Sequence, residues 1–194
     1  MNILKIIIKE VRFVIILTGK SGSGKDTVAA ILSRDYGYKH IVSYTTRDKR
    51  IADIDKVSYN FITKEKFEEL LKQGFFAEHT FYNGNYYGMA LKDVDDNKVV
   101  LVEPEGFRQL KAKKNLHNIS FFLEVPDKVR IKRMKFRGDT KENIAKRIET
   151  DKKVFEGLDK ETDFIINNIN AEKSAEKVNK AVKLYSKYKN NIKE

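Results

Sequence analysis

The sequence contains no cysteine and no tryptophan, and it has only two prolines. Without cysteine the chain forms neither a disulfide nor a thiolate metal site, and its composition gives no indication of an oxidising compartment. The three histidines, His40, His79 and His117, are far apart and lack the spacing of zinc ligands. The lack of cysteine excludes disulfide-stapled scaffolds, and the histidine spacing does not indicate a zinc site.

Long apolar runs are missing too, since no stretch reaches the roughly 18 apolar residues of a membrane helix. The segment Met1–Leu17 is apolar enough to be taken for a signal peptide, but charged residues interrupt it at Lys9, Glu10 and Arg12. Its last part, Phe13–Leu17, leads directly into a glycine-rich loop. We interpret Phe13–Leu17 as a buried strand and expect a cytoplasmic protein.

Acidic residues are in the minority, with 28 Asp and Glu against 39 Lys and Arg and a net charge of +11. Such a balance is typical of nucleic-acid binders, but also of lysine-rich surfaces around a site for polyanions. No nucleic-acid-reading motif is recognisable, so we expect neither nucleic acid nor membrane as a partner. Seven lysines near the end of the chain alternate with apolar residues at helical spacing, which predicts an amphipathic surface helix: Lys173, Lys177, Lys180, Lys183, Lys187, Lys189 and Lys193.

The length of 194 residues fits a single compact domain in which strand-like and helical patterns alternate. The predicted strands are Phe13–Leu17, Val99–Val102, Ile119–Val125 and Phe164–Ile166. The predicted helices are Thr27–Ser33, Lys64–Gln73, Glu105–Lys113, Asp127–Phe136, Lys141–Phe155 and Ala171–Lys187. This alternation predicts an α/β fold with a parallel sheet covered by helices. The segment 40–89 is rich in Tyr, Thr, Asn and Gly and indicates an inserted lobe.

The loop Gly19–Lys25 has the pattern G-x-x-x-x-G-K between a predicted strand and a helix. Glycines let backbone N–H groups converge on a phosphate, and the helix N-terminus adds positive potential. We therefore predict an ATP-binding loop whose contacts come from Gly19, Ser21, Gly22, Ser23, Gly24, Lys25, Asp26 and Thr27. Lys25 is the predicted catalytic charge on the β- and γ-phosphates.

Asp26 stands where this pattern normally has the serine or threonine that binds Mg²⁺. A carboxylate is also a hard oxygen ligand, so we predict Asp26 as the metal ligand. Two alternatives remain open: Thr27 takes over the metal, or Asp26 only caps the helix.

The lobe carries Ser43-Tyr44-Thr45-Thr46-Arg47-Asp48-Lys49-Arg50, then Tyr59-Asn60-Phe61, Glu78 and Gly84-Asn85-Tyr86-Tyr87-Gly88. Here the chain resembles guanylate kinases, from about Val14 to Asn168, with the elements in the family's order and spacing. The resemblance implies a P-loop three-layer sandwich with an inserted nucleoside-monophosphate lobe and a helical lid. It places the core at 1–39, 90–127 and 149–194, the lobe at 40–89 and the lid at 128–148.

The resemblance implies an enzyme that transfers a phosphoryl group from MgATP to GMP or dGMP. The acceptor phosphate would then be bound by Arg47, Arg50, Tyr59 and Tyr87. Arginine guanidinium groups and tyrosine hydroxyls both donate hydrogen bonds to phosphate oxygens. Glu78 would accept from guanine N1–H and N2–H, and Ser43 would lie at guanine O6. The residues assigned in this way to the acceptor are Ser43, Arg47, Arg50, Tyr59, Glu78, Tyr87 and Glu103.

Three positions depart from the family. Met89 replaces a hydroxyl residue that contacts guanine, Leu101 replaces an aspartate that organises metal-bound water, and Glu103 replaces a second aspartate. Glu103 still offers a carboxylate to the base or the metal. Guanine preference therefore follows less firmly from the sequence than kinase chemistry does.

In guanylate kinases, arginines of a lid close on the phosphates. Here the matching segment, about two residues shorter, supplies Arg133, Arg137 and Arg147 as predicted catalytic residues. We interpret Lys128, Arg130, Lys132 and Lys135 around them as solvated basic side chains. Asn167 is the predicted adenine contact.

Two alternative functions remain. Ribose bisphosphate kinases share the loop with aspartate after the lysine but lack the element at Tyr59–Phe61. A non-catalytic guanylate-kinase-like binding module would be expected to lose the phosphate loop, which is present here. The oligomeric state is expected to be a monomer or a homodimer.

Overall fold

The computed structural model describes residues 13–49, 53–94, 97–114 and 116–191. Its strands are β1 (Val14–Thr18), β2 (Lys39–His40), β3 (Tyr44–Thr45), β4 (Asn60–Phe61), β5 (Phe76–Tyr82), β6 (Asn85–Ala90), β7 (Lys98–Leu101), β8 (Asn118–Glu124) and β9 (Phe164–Asn167). Its α-helices are α1 (Lys25–Tyr36), α2 (Lys64–Lys72), α3 (Pro104–Lys111), α4 (Asp127–Phe136), α5 (Lys141–Val154), α6 (Leu158–Glu161) and α7 (Ala171–Asn191). A short 3₁₀ helix, Leu91–Asp93, follows β6.

The core is a five-stranded sheet in the order β2-β7-β1-β8-β9, and all of its pairings are parallel. Strand β1 lies in the middle, where Ile15 pairs with Val99 of β7 and with Ile119 of β8. All five residues of β1 are buried, as expected for a parallel strand covered on both faces. The predicted α/β architecture with a parallel sheet is confirmed.

Alternate residues of β1 belong to two apolar clusters, one on each face of the sheet. Ile15 and Leu17 pack in a cluster with residues of α1 and α7, such as Leu32 and Val178. Val14 and Ile16 belong to the other cluster, which includes Phe107, Leu110, Phe155 and Leu158 from the elements that cover the second face. The result is a helix–sheet–helix sandwich.

A second sheet of four strands, in the order β4-β3-β6-β5, is formed within residues 44–90. Its β5–β6 hairpin is antiparallel and turns at Asn83-Gly84, where both residues have positive φ. Tyr82 and Met89 of this sheet join the core cluster on the second face. The lobe is therefore packed onto the core, while the predicted lobe and lid boundaries stay predictions.

Several element boundaries differ from the sequence-based ones. Helix α1 begins at Lys25 rather than Thr27, because Gly24 takes the left-handed conformation at the N-cap. Helix α6 was not anticipated. The N-cap of α2 is Thr63, whose side chain accepts from the Lys66 N–H. Across the described residues, no helix has both the length and the apolar character needed to cross a bilayer.

Candidate active site

The glycine loop follows the carboxyl end of β1 and leads into α1. Gly19, Gly22 and Gly24 all have positive φ. A Cβ at Gly19 would lie 2.7 Å from the Leu123 carbonyl oxygen, and one at Gly22 would lie 2.8 Å from the Arg130 carbonyl oxygen. These glycines are needed both for backbone conformation and for close approach to β8 and α4.

Lys25, the first residue of α1, reaches back across this loop. Its Nζ donates to the Gly19 carbonyl oxygen at 2.5 Å and lies 3.5 Å from Glu103 Oε1. Desolvation raises the pKa of Glu103, and the neighbouring Lys25 charge opposes that rise. Among the described residues, Glu103 Oε2 is buried and has no hydrogen-bond partner. Lys25 and Glu103 therefore lie side by side, and Glu103 Oε2 remains able to accept a hydrogen bond or to bind a metal ion.

Three predicted acceptor-phosphate residues come together in the lobe. The Arg47 guanidinium lies 5.0 Å from the Tyr59 ring centroid, and the Tyr59 and Tyr87 ring centroids are 6.0 Å apart. Burial, followed by the charge of Asp26, raises the pKa of Tyr59 well above its ordinary value. The aromatic cluster thus lies within electrostatic range of the start of α1. Arg47 also pairs with Asp53 at 2.6 Å.

Arg50, the other predicted phosphate arginine, lies outside the described residues.

Glu78 is buried on β5 against the first turn of α3. Burial raises its pKa to about 8, with the charges of Glu103 and Glu105 adding to the rise and a Met89 backbone hydrogen bond opposing it. A Cβ at Gly106 would lie only 2.0 Å from Glu78 Oε2. Gly106 therefore makes room for the carboxyl group, a role that residue type and spacing did not indicate.

The other predicted base-site positions are also inside the protein. Ser43 is buried, and its carbonyl accepts from the Asn60 N–H at 2.8 Å. Met89, in register with Glu78 across the hairpin, is fully buried in the core cluster. The methionine at this departure from the family is therefore a packing residue.

The three predicted lid arginines have different surroundings. Arg133 donates to the carbonyl oxygens of Ser23 at 3.2 Å and Asn168 at 2.9 Å, which ties α4 to the glycine loop. Arg137 pairs with Asp139 at 2.6 Å in the turn between α4 and α5. Arg147 acts electrostatically on Glu103, and its buried Nε has no partner among the described residues.

Arg130 is not a solvated side chain, and that interpretation was wrong. It is 1% exposed and forms an ion pair with Asp151 at 2.7 Å between their nearest atoms. Sequence reasoning missed Asp151 because the two residues are far apart in the chain and meet only when α4 packs beside α5. No local pattern signals such a pair.

The helix start and the adenine end complete the site. The N-cap of α1 is Gly24 and makes no side-chain cap bond, so Asp26 is not the cap residue but lies in the first turn with Thr27. Asn167 ends β9 and lines a cavity of about 270 Å³ together with Lys20 and Pro126. Its neighbour Asn168 is buried and donates to the Ser23 carbonyl oxygen at 2.7 Å.

A glycine loop between the central parallel strand and its following helix, with a basic and aromatic lobe facing it, defines a P-loop phosphotransferase fold. The guanylate kinase family model matches residues 11–185. The guanylate kinase of Streptococcus mutans is 38% identical over 174 residues, covering 84% of this chain and 82% of that protein. That of Lactococcus lactis is 35% identical over 182 residues, covering 90% and 88%. The chain belongs to the guanylate kinase family.

Solved structures agree on the fold. The crystal structure of guanylate kinase from Anaplasma phagocytophilum has a TM-score of 0.70 at 23% identity and covers 92% of this chain and 88% of that one. A shikimate kinase from Acinetobacter baumannii, in complex with shikimate, has a TM-score of 0.52 at 15% identity, covering 91% and 96%. The same fold is therefore found in a guanylate kinase and in a shikimate kinase.

Proposed function

We propose that this protein transfers the terminal phosphoryl group of ATP to GMP or dGMP, giving ADP and GDP or dGDP. The main support is that the lobe carrying the Arg47–Tyr59–Tyr87 cluster contacts the glycine loop, where the Tyr82 hydroxyl lies 3.2 Å from Ser21 Oγ. An arginine beside two tyrosines suits a dianionic phosphate, because the guanidinium supplies charge and the hydroxyls supply neutral donors.

The acceptor is held at both ends in this proposal. Its phosphate is bound by Arg47, Arg50, Tyr59 and Tyr87, which requires Arg47 to share or exchange its bond to Asp53. Its base meets Glu78, whose ionised carboxylate accepts from guanine N1–H and N2–H, with Ser43 at O6. Adenine offers no such pair of donors, so a buried carboxylate would be left unpaired with AMP.

The donor is held by the glycine loop. Gly22, Ser23, Gly24, Lys25, Asp26 and Thr27 surround its phosphates after the turn at Gly19, and Asn167 lies at its adenine. Ser21, also predicted to contact ATP, instead directs its N–H and its hydroxyl to Asp151 and shapes the loop from behind. Lys25 stabilises the charge of the moving phosphoryl group. The charge of Arg147 already acts on Glu103 beside Lys25. Arg137 must break its ion pair with Asp139 before it can bind a phosphate. Arg133 contributes by holding the loop carbonyls.

Mg²⁺ fits the donor set at this site. No group of three or more acidic or histidine side chains that would hold a metal occurs in the part of the chain that the structure describes. Mg²⁺ does not need one, because it usually takes one or two carboxylates together with phosphate oxygens and water. Asp26 in the first turn of α1 and the unpartnered Glu103 Oε2 are the residues that would hold it. When bound, Mg²⁺ neutralises phosphate charge.

No general base is needed, because the acceptor phosphate is already ionised and nucleophilic. The protein's contribution is to align the two phosphates, to keep water out by closing the lobe and the lid, and to supply charge. We place the reaction in the cytoplasm, with the enzyme acting as a monomer or homodimer and without nucleic acid or membrane partners. Family membership does not favour ribose bisphosphate kinase activity or a non-catalytic module.

A panel of acceptors tests the proposal. The protein is incubated with ATP and Mg²⁺ and with GMP, dGMP, AMP, CMP, UMP or ribose 1,5-bisphosphate, and ADP release is measured by a coupled assay. We expect turnover with GMP and dGMP and little with the other acceptors. Turnover with the sugar phosphate alone would overturn the acceptor assignment, and no turnover with any acceptor would overturn the kinase assignment.

A further inference from the structure

A buried ion pair holds the third residue of the glycine loop. The Ser21 N–H donates to Asp151 Oδ2 at 2.9 Å, and Arg130 Nη1 donates to the Ser21 carbonyl oxygen at 2.9 Å. Arg130 Nη1 also donates to Asp151 Oδ2 at 2.7 Å. Both backbone polar groups of Ser21 are therefore committed to α4 and α5, and neither is available to a phosphate.

The acceptor lobe joins the same network through Tyr82. Its hydroxyl donates to Asp151 Oδ1 and lies 3.2 Å from Ser21 Oγ. Asp151 is fully buried and Tyr82 is nearly so. The Asp151 carboxylate thus accepts hydrogen bonds from Ser21 of the glycine loop, from Arg130 of α4 and from Tyr82 of the lobe.

Strand β5 connects this network to the base site. Glu78, Thr80 and Tyr82 are alternate residues, all buried, and so share one face of the strand, while Phe81 is exposed on the other. Thr80 donates to Glu105 of α3 at 3.0 Å. Glu78, the proposed guanine acceptor, and Tyr82 therefore lie on the same face of β5, four residues apart. Tyr82 contacts Asp151, the carboxylate that holds the glycine loop.

A buried ion pair adds little net stability compared with apolar packing, because its desolvation offsets most of the attraction. Its benefit is a defined geometry, which here is the geometry of the loop that receives the donor phosphates. The hydroxyl of Tyr82 makes that geometry depend on where β5 lies.

We propose that Tyr82 is a positioning residue that couples occupation of the acceptor lobe to the order of the glycine loop, through Asp151. The inference rests on the proposed function, since it needs an acceptor held by β5. An acceptor base bound at Glu78 restrains β5, the Tyr82 hydroxyl then restrains Asp151, and the donor meets a loop that is already ordered. Each nucleotide consequently tightens binding of the other.

The test compares Tyr82→Phe with a matched control, Tyr38→Phe. Both variants lose one buried hydroxyl and keep the ring, but the Tyr38 hydroxyl donates to Asn179 of α7 at 3.1 Å, on the other face of the sheet from Tyr82. Binding of a non-hydrolysable ATP analogue is measured by calorimetry with and without saturating GMP. We expect GMP to tighten analogue binding about fivefold or more in the wild type and in Tyr38→Phe, and to change it little in Tyr82→Phe.

The reverse titration, of GMP with and without the analogue, must give the same factor because coupling is reciprocal. Thermal melting of both variants checks that they remain folded. Coupling retained in Tyr82→Phe, or absent from the wild type, would overturn the inference. Failure of the proposed function is a separate result, since it would appear as a wild-type protein that does not turn over GMP.

Discussion

Single residues at this site act through charges that the fold shields from water. Lys25 contacts the Gly19 carbonyl oxygen of the glycine loop and Glu103 at the start of α3, and the two charged side chains are only 13% and 20% exposed. In such surroundings each charge has a larger effect than it would in solution. Effects of single substitutions on turnover should therefore be large, provided that the fold is kept.

Lys25→Ala should lower kcat by roughly a hundredfold or more, because it removes a charge that stabilises the transferring phosphoryl group. Lys39→Ala, at an exposed lysine on β2, is the matched control and should keep wild-type kinetics. Circular dichroism checks the fold of both variants. An alanine variant at 25 with near-normal turnover would refute the catalytic role of this lysine.

Glu78 should make GMP binding depend on pH. Burial raises its pKa to about 8, so the carboxyl group is mostly protonated at neutral pH, whereas guanine needs an ionised acceptor. Binding of GMP then requires loss of a proton, and KM for GMP should fall about fivefold between about pH 7 and about pH 8, below the range where guanine N1 itself loses its proton. KM for ATP, measured in parallel, should not follow this profile.

Glu78→Gln is the companion measurement, because glutamine does not titrate. Its KM for GMP should be raised and flat across the same pH range, since an amide accepts through only one oxygen and offers donors where guanine also has donors. A wild-type profile that persists in the glutamine variant would assign the titration to another group.

At the scale of secondary-structure elements, the site depends on where two helices begin. Helix α1 starts at Lys25 with an N-cap that makes no side-chain bond, so its first N–H groups stay free for an anion. Helix α3 starts with Pro104 at its first turn and brings Gly106 against Glu78. In the proposed reaction the start of α1 would meet the donor, and the start of α3 would support the residue that meets the acceptor base.

Asp26→Ala should separate metal binding from helix stability. In the first turn of α1, Asp26 contributes about 0.3–1 kcal/mol to stability through the helix dipole. If it also binds the metal, the Mg²⁺ concentration for half-maximal velocity should rise severalfold in the variant. Thr27→Val tests whether the neighbouring hydroxyl supplies that ligand instead. An unchanged Mg²⁺ requirement in Asp26→Ala would exclude its metal role.

Gly106→Ala should weaken GMP use and spare ATP. Alanine is favoured over glycine inside a helix by about 1 kcal/mol, but its Cβ would fall 2.0 Å from Glu78 Oε2 and must displace that carboxyl group. We expect KM for GMP to rise about tenfold, the effect of losing roughly one hydrogen bond to a charged group. Arg108→Ala, on the exposed face of the same helix, is the control. Equal changes in both KM values would contradict this role.

At the scale of the whole molecule, the lobe, the lid and the core meet at the glycine loop. Asp151, Arg130 and Arg133 hold the loop from α4 and α5, while Gln109 of α3 binds both backbone groups of His79 on β5. These polar contacts supplement the apolar packing by which Tyr82 and Met89 join the lobe to the core.

The net charge of +11 should speed the capture of polyanionic substrates. Raising NaCl from about 50 to about 300 mM shortens the reach of that field, so kcat/KM should fall severalfold while kcat changes little. Reversing the charges of Lys180 and Lys183, exposed on α7, should weaken the salt dependence and leave kcat intact. A kcat/KM independent of salt would show that the surface charge plays no part in capture.

The sequence by itself determined the local features: the strand before the glycine loop, the phosphate-binding loop, the order of the lobe motifs and most helices. These follow from residue type and short-range spacing, because glycine conformations, caps and apolar periodicity act over a few residues. Lys25 is therefore assignable to the loop from the glycine pattern, whereas Arg47, Tyr59 and Tyr87 are assigned to the acceptor through the resemblance to guanylate kinases.

Only the tertiary structure decided what lies beside these motifs. It buries Arg130 against Asp151, brings Tyr82 to the loop, makes room for Glu78 at Gly106 and places Met89 in the core. These contacts join residues that are distant in the chain. Arginine, aspartate and tyrosine also occur on protein surfaces, so residue type alone does not predict that they are buried. Burial converts an arginine or a tyrosine from a solvated side chain into a positioning group, and burial depends on packing rather than on the local pattern.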